Sequence, residues 1–476
     1  MDVKKNTELI CEIENIVDVN SVKYLGKNIW PLIRGAIWSQ MFHPDQDWVG
    51  KNHKPKELSE IHSKVKYLYD LFNYIKIDFK NISSDLNNYR QQNARLKNLN
   101  KIDFLFFSRE YDHRIKILDK YYDPHIDPII DCLNNDNSFI KFQIDKVLRK
   151  HRYIDTTFID TSTSYHLEKI FTRYFFHVKR QKIENFDFLA NIVFDKTHFV
   201  KLNEQYFCYL SYRLNNWKVF FKKFLTIIEP KFVFLTCYYY PKAMALINAC
   251  KDLNIKTIDI QHGKQGSYHG MYTHWSKMPI EGYDLLPDYF WVWGEETKKN
   301  INTWQPKSLK RNIPIVFGNA WLAKWKNDDF KNLYREYREY FDYINLFKNK
   351  ILFSMQPIDK PIPRSLIDSM NKQDNSYIFL IRLHKDQENQ MDYFNNYLKK
   401  NTTANYELFN SSKIFLYALL NQINCHITCS STVIYEALYF KVPSLIIHKD
   451  GYNLYENYIK KIFFISQKVK KKYQKD

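Results

Sequence analysis

The run FVFLTCYYYPKAMALINACKDLNIKTIDIQHG, residues 232–263, constrains the fold more than any other stretch. Two short runs of β-branched and aromatic residues, FVFLTCYYY and KTIDI, flank a segment of helix length that opens with Pro241, a residue suited to a first helical turn. Strand–helix–strand at this spacing is a βαβ unit, because parallel strands need a crossover of about this length. The same grammar recurs at DFLFFS (103–108), YFWVWG (289–294), IPIVFGN (313–319), KILFSMQP (350–357), YIFLIRLHK (377–385), CHITCSS (425–431) and PSLIIHK (443–449). With 476 residues the chain exceeds one hydrophobic core, so two parallel-sheet α/β domains in tandem are expected. The boundaries read as a polar helical extension over 1–100, a Rossmann-like domain over 101–310, a second over 311–458, and a basic tail over 459–476. NNYRQQNARLKNLNK (87–101) reads as a polar helix end or linker, and the charged segment 328–348 as a helix.

Ligands of parallel sheets bind beyond the carboxyl ends of the strands. The residues just past each predicted strand are therefore the candidates: Glu110 and Asp112, Tyr239, Gln261 with His262 and Gly263, Gln356, Arg382 with His384, and Ser430, Ser431 and Thr432. Glycine adds weight to one of these places. The chain has only 10 glycines, and Gly263, Gly266, Gly270, Gly282 and Gly294 all fall within residues 263–294. Glycine permits positive φ and close approach of a ligand to the backbone. A histidine at such a turn, able to change charge near neutral pH, suits proton removal from a hydroxyl or contact with a leaving phosphate.

In TCSSTVIYEALYFKVPSLII (428–447) three hydroxyl residues precede a helical pattern. Free amides at a helix start, with Ser and Thr hydroxyls, can receive a phosphate, although Ser431 or Thr432 can equally serve as a plain helix cap. Glu436 lies four residues after Thr432, one too many for a capping box. Placed one turn into the helix, it is expected to face the ligand and meet a ribose. DKYYDPHIDP (119–128) spaces its acids too widely for a paired-carboxylate metal motif, and no metal or cofactor is expected.

Composition narrows the class. Seven scattered cysteines without C-x-x-C pairs argue against a disulfide scaffold and a zinc site and for a reducing compartment. MDVKKNTELICEIENIVDV lacks the apolar core of a signal peptide, and no apolar run of about 18 residues occurs, so a cytoplasmic protein is expected. The formal charge of +19 fits an anionic membrane face or a phosphate-bearing substrate. The tail IKKIFFISQKVKKKYQKD (459–476) is the segment expected to lie on anionic headgroups. The basic residues are spread along the chain with no nucleic-acid motif, so nucleic acid is not an expected partner.

The 428–447 block resembles the C-terminal domain of GT-B glycosyltransferases, in which a Ser/Thr turn, an inward Glu and an E-A-x-x-x-G-x-P ending recur. Here the ending runs from Glu436 and Ala437 to Pro443, with Lys441 where glycine is usual. IRLHKD (381–386) resembles the His-Pro element of bacterial sialyltransferases and capsule Kdo transferases, with Lys385 in place of the proline. Ile260-Gln261-His262-Gly263, followed by Val292-Trp293-Gly294, is similar to stretches in enzymes of capsule and O-antigen assembly. The resemblance implies a GT-B fold whose two α/β domains face across a cleft, and a metal-independent glycosyltransferase acting peripherally on the cytoplasmic membrane. It implies donor contacts from Arg382, His384, Ser430, Ser431, Thr432, Glu436 and Gln356. Catalysis would fall to His262, with Glu110 or Asp112 in reserve, and Gln261, Gly263 and Tyr239 would meet the acceptor. The partners are then a nucleotide sugar and a glycan or lipid-linked acceptor. The His and Ser-Ser-Thr pairing leans towards a CMP-linked acidic sugar, with UDP, GDP and dTDP open. A CDP-polyol phosphotransferase of teichoic-acid type and, on the strength of the charge, a non-enzymatic nucleic-acid-binding protein remain alternatives.

Overall fold

Parallel strands buried on both faces read as continuous apolar runs, and here they form two separate sheets. The computed structural model describes residues 3–51, 99–158, 182–327, 337–452 and 455, less positions 114, 118, 145–147, 264, 266, 307, 309, 358–360 and 450. Most of the 87–101 segment, the start of the charged 328–348 segment and the whole 459–476 tail lie outside the described residues. The chain divides into two compact units, Met1–Ala320 and Trp321–Asp476.

The first unit is built on seven strands: β1 (Phe104–Phe107), β2 (Phe139–Gln143), β3 (Thr157–Phe158), β4 (Phe232–Thr236), β5 (Lys256–Ile260), β6 (Tyr289–Val292) and β7 (Ile313–Val316). Their order across the sheet is β7-β6-β5-β4-β1-β2-β3, and each pairing is parallel. The expected boundary at 310/311 gives way at this point. β7 pairs with β6 along Tyr289↔Ile313 to Val292↔Val316, so it closes the first sheet instead of opening the second.

Five helices carry the argument that follows: α1 (Val3–Ile16), α2 (Trp30–Phe42), α3 (Glu204–Ile228) and α4 (Pro241–Asp252) in the first unit, and α5 (Val433–Tyr439) in the second. α4 is the crossover of the β4–α4–β5 unit. Ala243 through Cys250 on it are all buried, which explains why its sequence is apolar all round. Phe107, Phe142, Phe221 and Phe224 pack α3 against the other part of the sheet.

α1 and α2 are not a detached extension. Their Ile10, Ile13, Trp30, Ile33 and Ile37 belong to the same core as the sheet. Arg34 on α2 and Glu14 on α1 form a fully buried ion pair at 2.9 Å. Arg34 also donates to the carbonyl of His274 at 2.7 Å and lies 4.1 Å over the Trp275 ring, and Glu14 accepts from the backbone and hydroxyl of Ser276. Buried charges are tolerated only when paired and hydrogen-bonded, and these are. The two helices thus grip the segment 268–283.

The second unit carries β8 (Asn349–Ser354), β9 (Tyr377–Arg382), β10 (Tyr406–Glu407), β11 (Cys425–Thr428) and β12 (Ser444–Ile446). Their order is β10-β9-β8-β11-β12, again with every pairing parallel. Phe353, Phe379, Ile381, Leu366, Ile367 and Leu398 fill its core. Two α/β units on parallel sheets are the architecture that a GT-B fold implies. Among the described residues, no helix is long and apolar enough to cross a membrane.

Candidate functional site

Register brings the candidates together within each unit. In the first sheet Phe107 pairs with Leu235, Thr236 with Ile260 and Ile260 with Trp291. The loops after β1, β4, β5 and β6 therefore emerge side by side.

His262 follows β5 and is held against Tyr239 after β4 (ring centroids 6.3 Å apart) and His125 after β1 (6.2 Å, edge-on). Its Nδ1 is buried and has no hydrogen-bond partner. Burial pushes the imidazole down to about 3, with the nearby His125 and Arg109 adding to the effect, so the ring is neutral at pH 7.

The other two catalytic candidates are engaged. The Glu110 carboxylate is paired with Arg152 and, at 3.0 Å, with Arg149, and accepts from the Arg149 amide and from Gln143. Asp112 is held bidentately by Arg109, at 2.8 Å twice, and by the Thr236 hydroxyl at 3.0 Å. Both carboxylates brace the loop after β1. Gln261 also turns out to shape the turn: its amide donates to the Gly263 carbonyl at 2.9 Å and accepts the Trp293 N–H at 2.8 Å. Both ends of that side chain are satisfied inside the loop.

The glycine cluster has more than one cause. A Cβ on Gly270 would fall 2.3 Å from the Trp38 ring, and Gly282 has a φ of +70°, so both serve the fold. Gly263 is different. Its φ is not in the positive region, and a Cβ there would meet nothing within 4 Å. The fold does not require glycine beside His262.

Two features were not legible as site features. Cys237 sits at the end of β4 with φ of +60°, a strained conformation for a residue with a side chain. Buried Asp259 fixes that turn by accepting from the Tyr238 N–H at 3.0 Å and the Tyr272 hydroxyl at 2.8 Å. His125, in the DKYYDPHIDP stretch dismissed as a metal motif, is the other. Among the described residues no group of three or more His, Cys, Asp or Glu side chains is placed to hold a metal ion.

In the second sheet Ser354 pairs with both Arg382 and Thr428, so the ends of β8, β9 and β11 also lie together. The Ser430 hydroxyl donates to Gln356 Oε1 at 2.5 Å. Ser431 acts as a cap, accepting the Val433 N–H at 3.3 Å, and the Tyr455 hydroxyl donates to the Ser430 and Ser431 carbonyls. Thr432 is exposed at the helix start and makes no capping bond through its side chain.

Arg382 does not reach outward. Its guanidinium donates to the Ser411 and Ile414 carbonyls, both at 2.6 Å, closing the end of the short helix Phe409–Lys413. His384 accepts the Asp386 N–H at 3.3 Å through Nδ1 and caps a 3-10 turn. Glu436, one turn into α5, is half-buried, and its buried Oε2 has no partner. Burial pushes its carboxyl up to about 7.

The class these features define is a two-unit α/β protein of GT-B architecture, with a parallel sheet in each unit and, among its unmet buried polar atoms, one at the carboxyl end of each sheet. No family model matches the sequence, and no curated protein does. Among solved structures it is similar to the UDP-GlcNAc 2-epimerase of Neisseria meningitidis bound to UDP-GlcNAc, at 14% identity over 73% of this chain and 83% of that one, with a TM-score of 0.42. The Methanocaldococcus jannaschii UDP-GlcNAc 2-epimerase gives 13%, 74%, 86% and 0.40. HepE of Anabaena in complex with UDP gives 8%, 72%, 80% and 0.37.

Proposed function

We propose that the protein is a glycosyltransferase that moves a sugar from a nucleotide-activated donor to a glycan or lipid-linked acceptor of a cell-surface polysaccharide. One observation carries this reading. At the carboxyl end of each parallel sheet, a half-buried titratable side chain keeps one buried polar atom without a partner: His262 Nδ1 in one unit and Glu436 Oε2 in the other. Buried polar atoms normally find partners, and an orphan at a strand end is a place for a ligand.

The Glu436 carboxyl, sunk in a poorly solvated setting, is ready to accept from the ribose hydroxyls of a nucleotide. Thr432 lies one turn before it at the helix start, and Ser430 with Gln356 closes the preceding turn. His262, neutral at pH 7, can take the proton of the attacking hydroxyl. In the transfer the acceptor oxygen bonds the anomeric carbon, and the bond from that carbon to the donor phosphate oxygen breaks. The nucleotide leaves with the electron pair, and the hydroxyl proton passes to the imidazole.

The test is a thermal-shift screen against CMP, CDP, UDP, GDP and dTDP. A nucleotide at a hundredfold excess over its Kd stabilises the folded state by about 2.7 kcal/mol. At least one should do so, and Glu436→Gln should weaken it. Absence of any shift would overturn the reading. Incubation with the matching nucleotide sugar and an acceptor should place the sugar, without phosphate, on the acceptor. Transfer of a polyol phosphate, or alteration of the sugar with no acceptor consumed, would also overturn it.

A further inference from the structure

The turn that presents His125 is anchored by an unusual amount of buried charge. Asp123 is fully buried and accepts the N–H groups of His125 at 3.0 Å and Ile126 at 3.2 Å, together with the Ser108 hydroxyl at 2.8 Å. Its own N–H donates to Asp127 at 2.8 Å, and Asp127 is paired with Lys141, both with no exposed side-chain surface. Buried ion pairs stabilise a fold little, so their presence calls for another purpose. Here they fix the backbone beneath one imidazole.

That imidazole stands edge-on to His262 at an interplanar angle of 84°. Tyr239 borders His262 on another side, and Arg109 is close enough for its charge to weigh on the His262 ring. The side chains that add to the effect of burial on His262 are His125, Arg109 and His269; Arg109 is itself paired with Asp112, and burial keeps His269 neutral at pH 7. The space beside Gly263 is open, and the buried Nδ1 of His262 lacks a partner. An imidazole N–H in such a desolvated place, beside a second histidine, can donate to an anion.

We propose that His125 and His262 together bind a phosphoryl group on the ligand of the first unit, so that the acceptor carries a phosphate or diphosphate beside its reacting hydroxyl. This rests on the reading of His262 as the reacting group of that unit. It also supplies what His262 lacks. Buried beside His125 and Arg109, its ring is a weak base, and a bound phosphate would strengthen it only when substrate is in place. His125 is then a ligand-binding residue of the acceptor site.

The phosphate could belong to a prenyl diphosphate or to the donor nucleotide itself, and one experiment separates these sources. Thermal stability is measured with inorganic pyrophosphate, farnesyl diphosphate and the five nucleotides, in wild type and in His125→Gln, His262→Gln and Glu436→Gln. Pyrophosphate and farnesyl diphosphate should stabilise wild type and Glu436→Gln alike. Their apparent affinity should fall at least tenfold in each histidine variant. No shift with either anion, or a shift that survives both histidine changes, overturns the proposal. So does a nucleotide that displaces pyrophosphate and itself depends on His125, because the phosphate would then be the donor's.

If a histidine variant does not fold, ¹⁵N-imidazole spectra of wild type decide the matter. Two histidine signals should move on adding pyrophosphate, and spectra that stay still overturn the proposal. Nucleotide binding lost in Glu436→Gln, with pyrophosphate inert, would sink the phosphate site and leave the transferase reading standing. Pyrophosphate binding lost in the histidine variants, with every nucleotide inert, would do the opposite.

Discussion

The change Glu436→Gln gives a stability signature that can be worked out in advance. The carboxyl titrates at about 7 in the folded chain against an ordinary 4.5, with burial the main cause. Keeping it charged therefore costs about 3 kcal/mol once the pH is well above 7. The sign follows from the direction of the shift. A raised folded pKa contributes stability that is fully present below about 4.5 and is lost as the pH rises through about 7. Glutamine has no charge to bury, so the variant escapes that loss, while any fixed effect of the amide is the same at every pH. The stability of Glu436→Gln relative to wild type should improve by about 2 kcal/mol between pH 5 and pH 8. In a unit of this size that is roughly 4–8 °C in Tm. Matched melting curves at pH 5, 6, 7 and 8, without ligand, read this directly. A difference that stays flat across the series, or shrinks towards pH 8, refutes the placement of Glu436 in a desolvated site.

His262 gives the opposite limb. Below about 6.5 the unfolded imidazole takes a proton that the folded one refuses until about 3, so wild type loses up to about 1.4 kcal/mol per pH unit on acidification. His262→Gln should show a shallower loss of Tm between pH 6.5 and 4.5. Gly263→Ala should leave Tm unchanged or slightly raised, because its Cβ meets nothing and alanine restricts the unfolded chain, yet it should lower transfer activity. Gly270→Ala forces a methyl group against the Trp38 ring and should cost roughly 1–3 kcal/mol, seen as a lower Tm. Arg34→Met alone strands the Glu14 charge and should cost about 3–5 kcal/mol, whereas Arg34→Met with Glu14→Leu should cost much less.

The strands were legible because a strand buried on both faces must be written as an apolar run, and Phe104–Phe107, Phe232–Thr236 and Asn349–Ser354 are such runs. The neighbour each strand chooses is not written locally. Ile313–Val316 reads equally well as the last strand of one sheet or the first of the next, and only its pairing with Tyr289–Val292 decides. The same division runs through the candidate residues. The places of His262 just past a strand and of Glu436 one turn into a helix were legible because strand-end position and helix phase are local properties. The internal engagements of Arg382, Glu110 and Gln261 were not. Each depends on a partner far along the chain: the Ser411 and Ile414 carbonyls, Arg149 with Arg152, and the Trp293 amide. His125 was hidden for the same reason, since its meaning comes from a ring more than a hundred residues away.

The grip of α1 and α2 on the 268–283 segment has a consequence for how the protein is made. Glu14 and Arg34 find Ser276 and His274 across some 240–260 intervening residues. At synthesis rates of about 5–20 residues per second, the two helices wait roughly 10–50 seconds after emerging from the ribosome before their partners exist. During that interval Trp30, Ile33 and Ile37 lack the core they later fill. Residues 3–42 therefore carry exposed apolar surface through that interval, and the first unit cannot close around them until residues 274–276 have been translated.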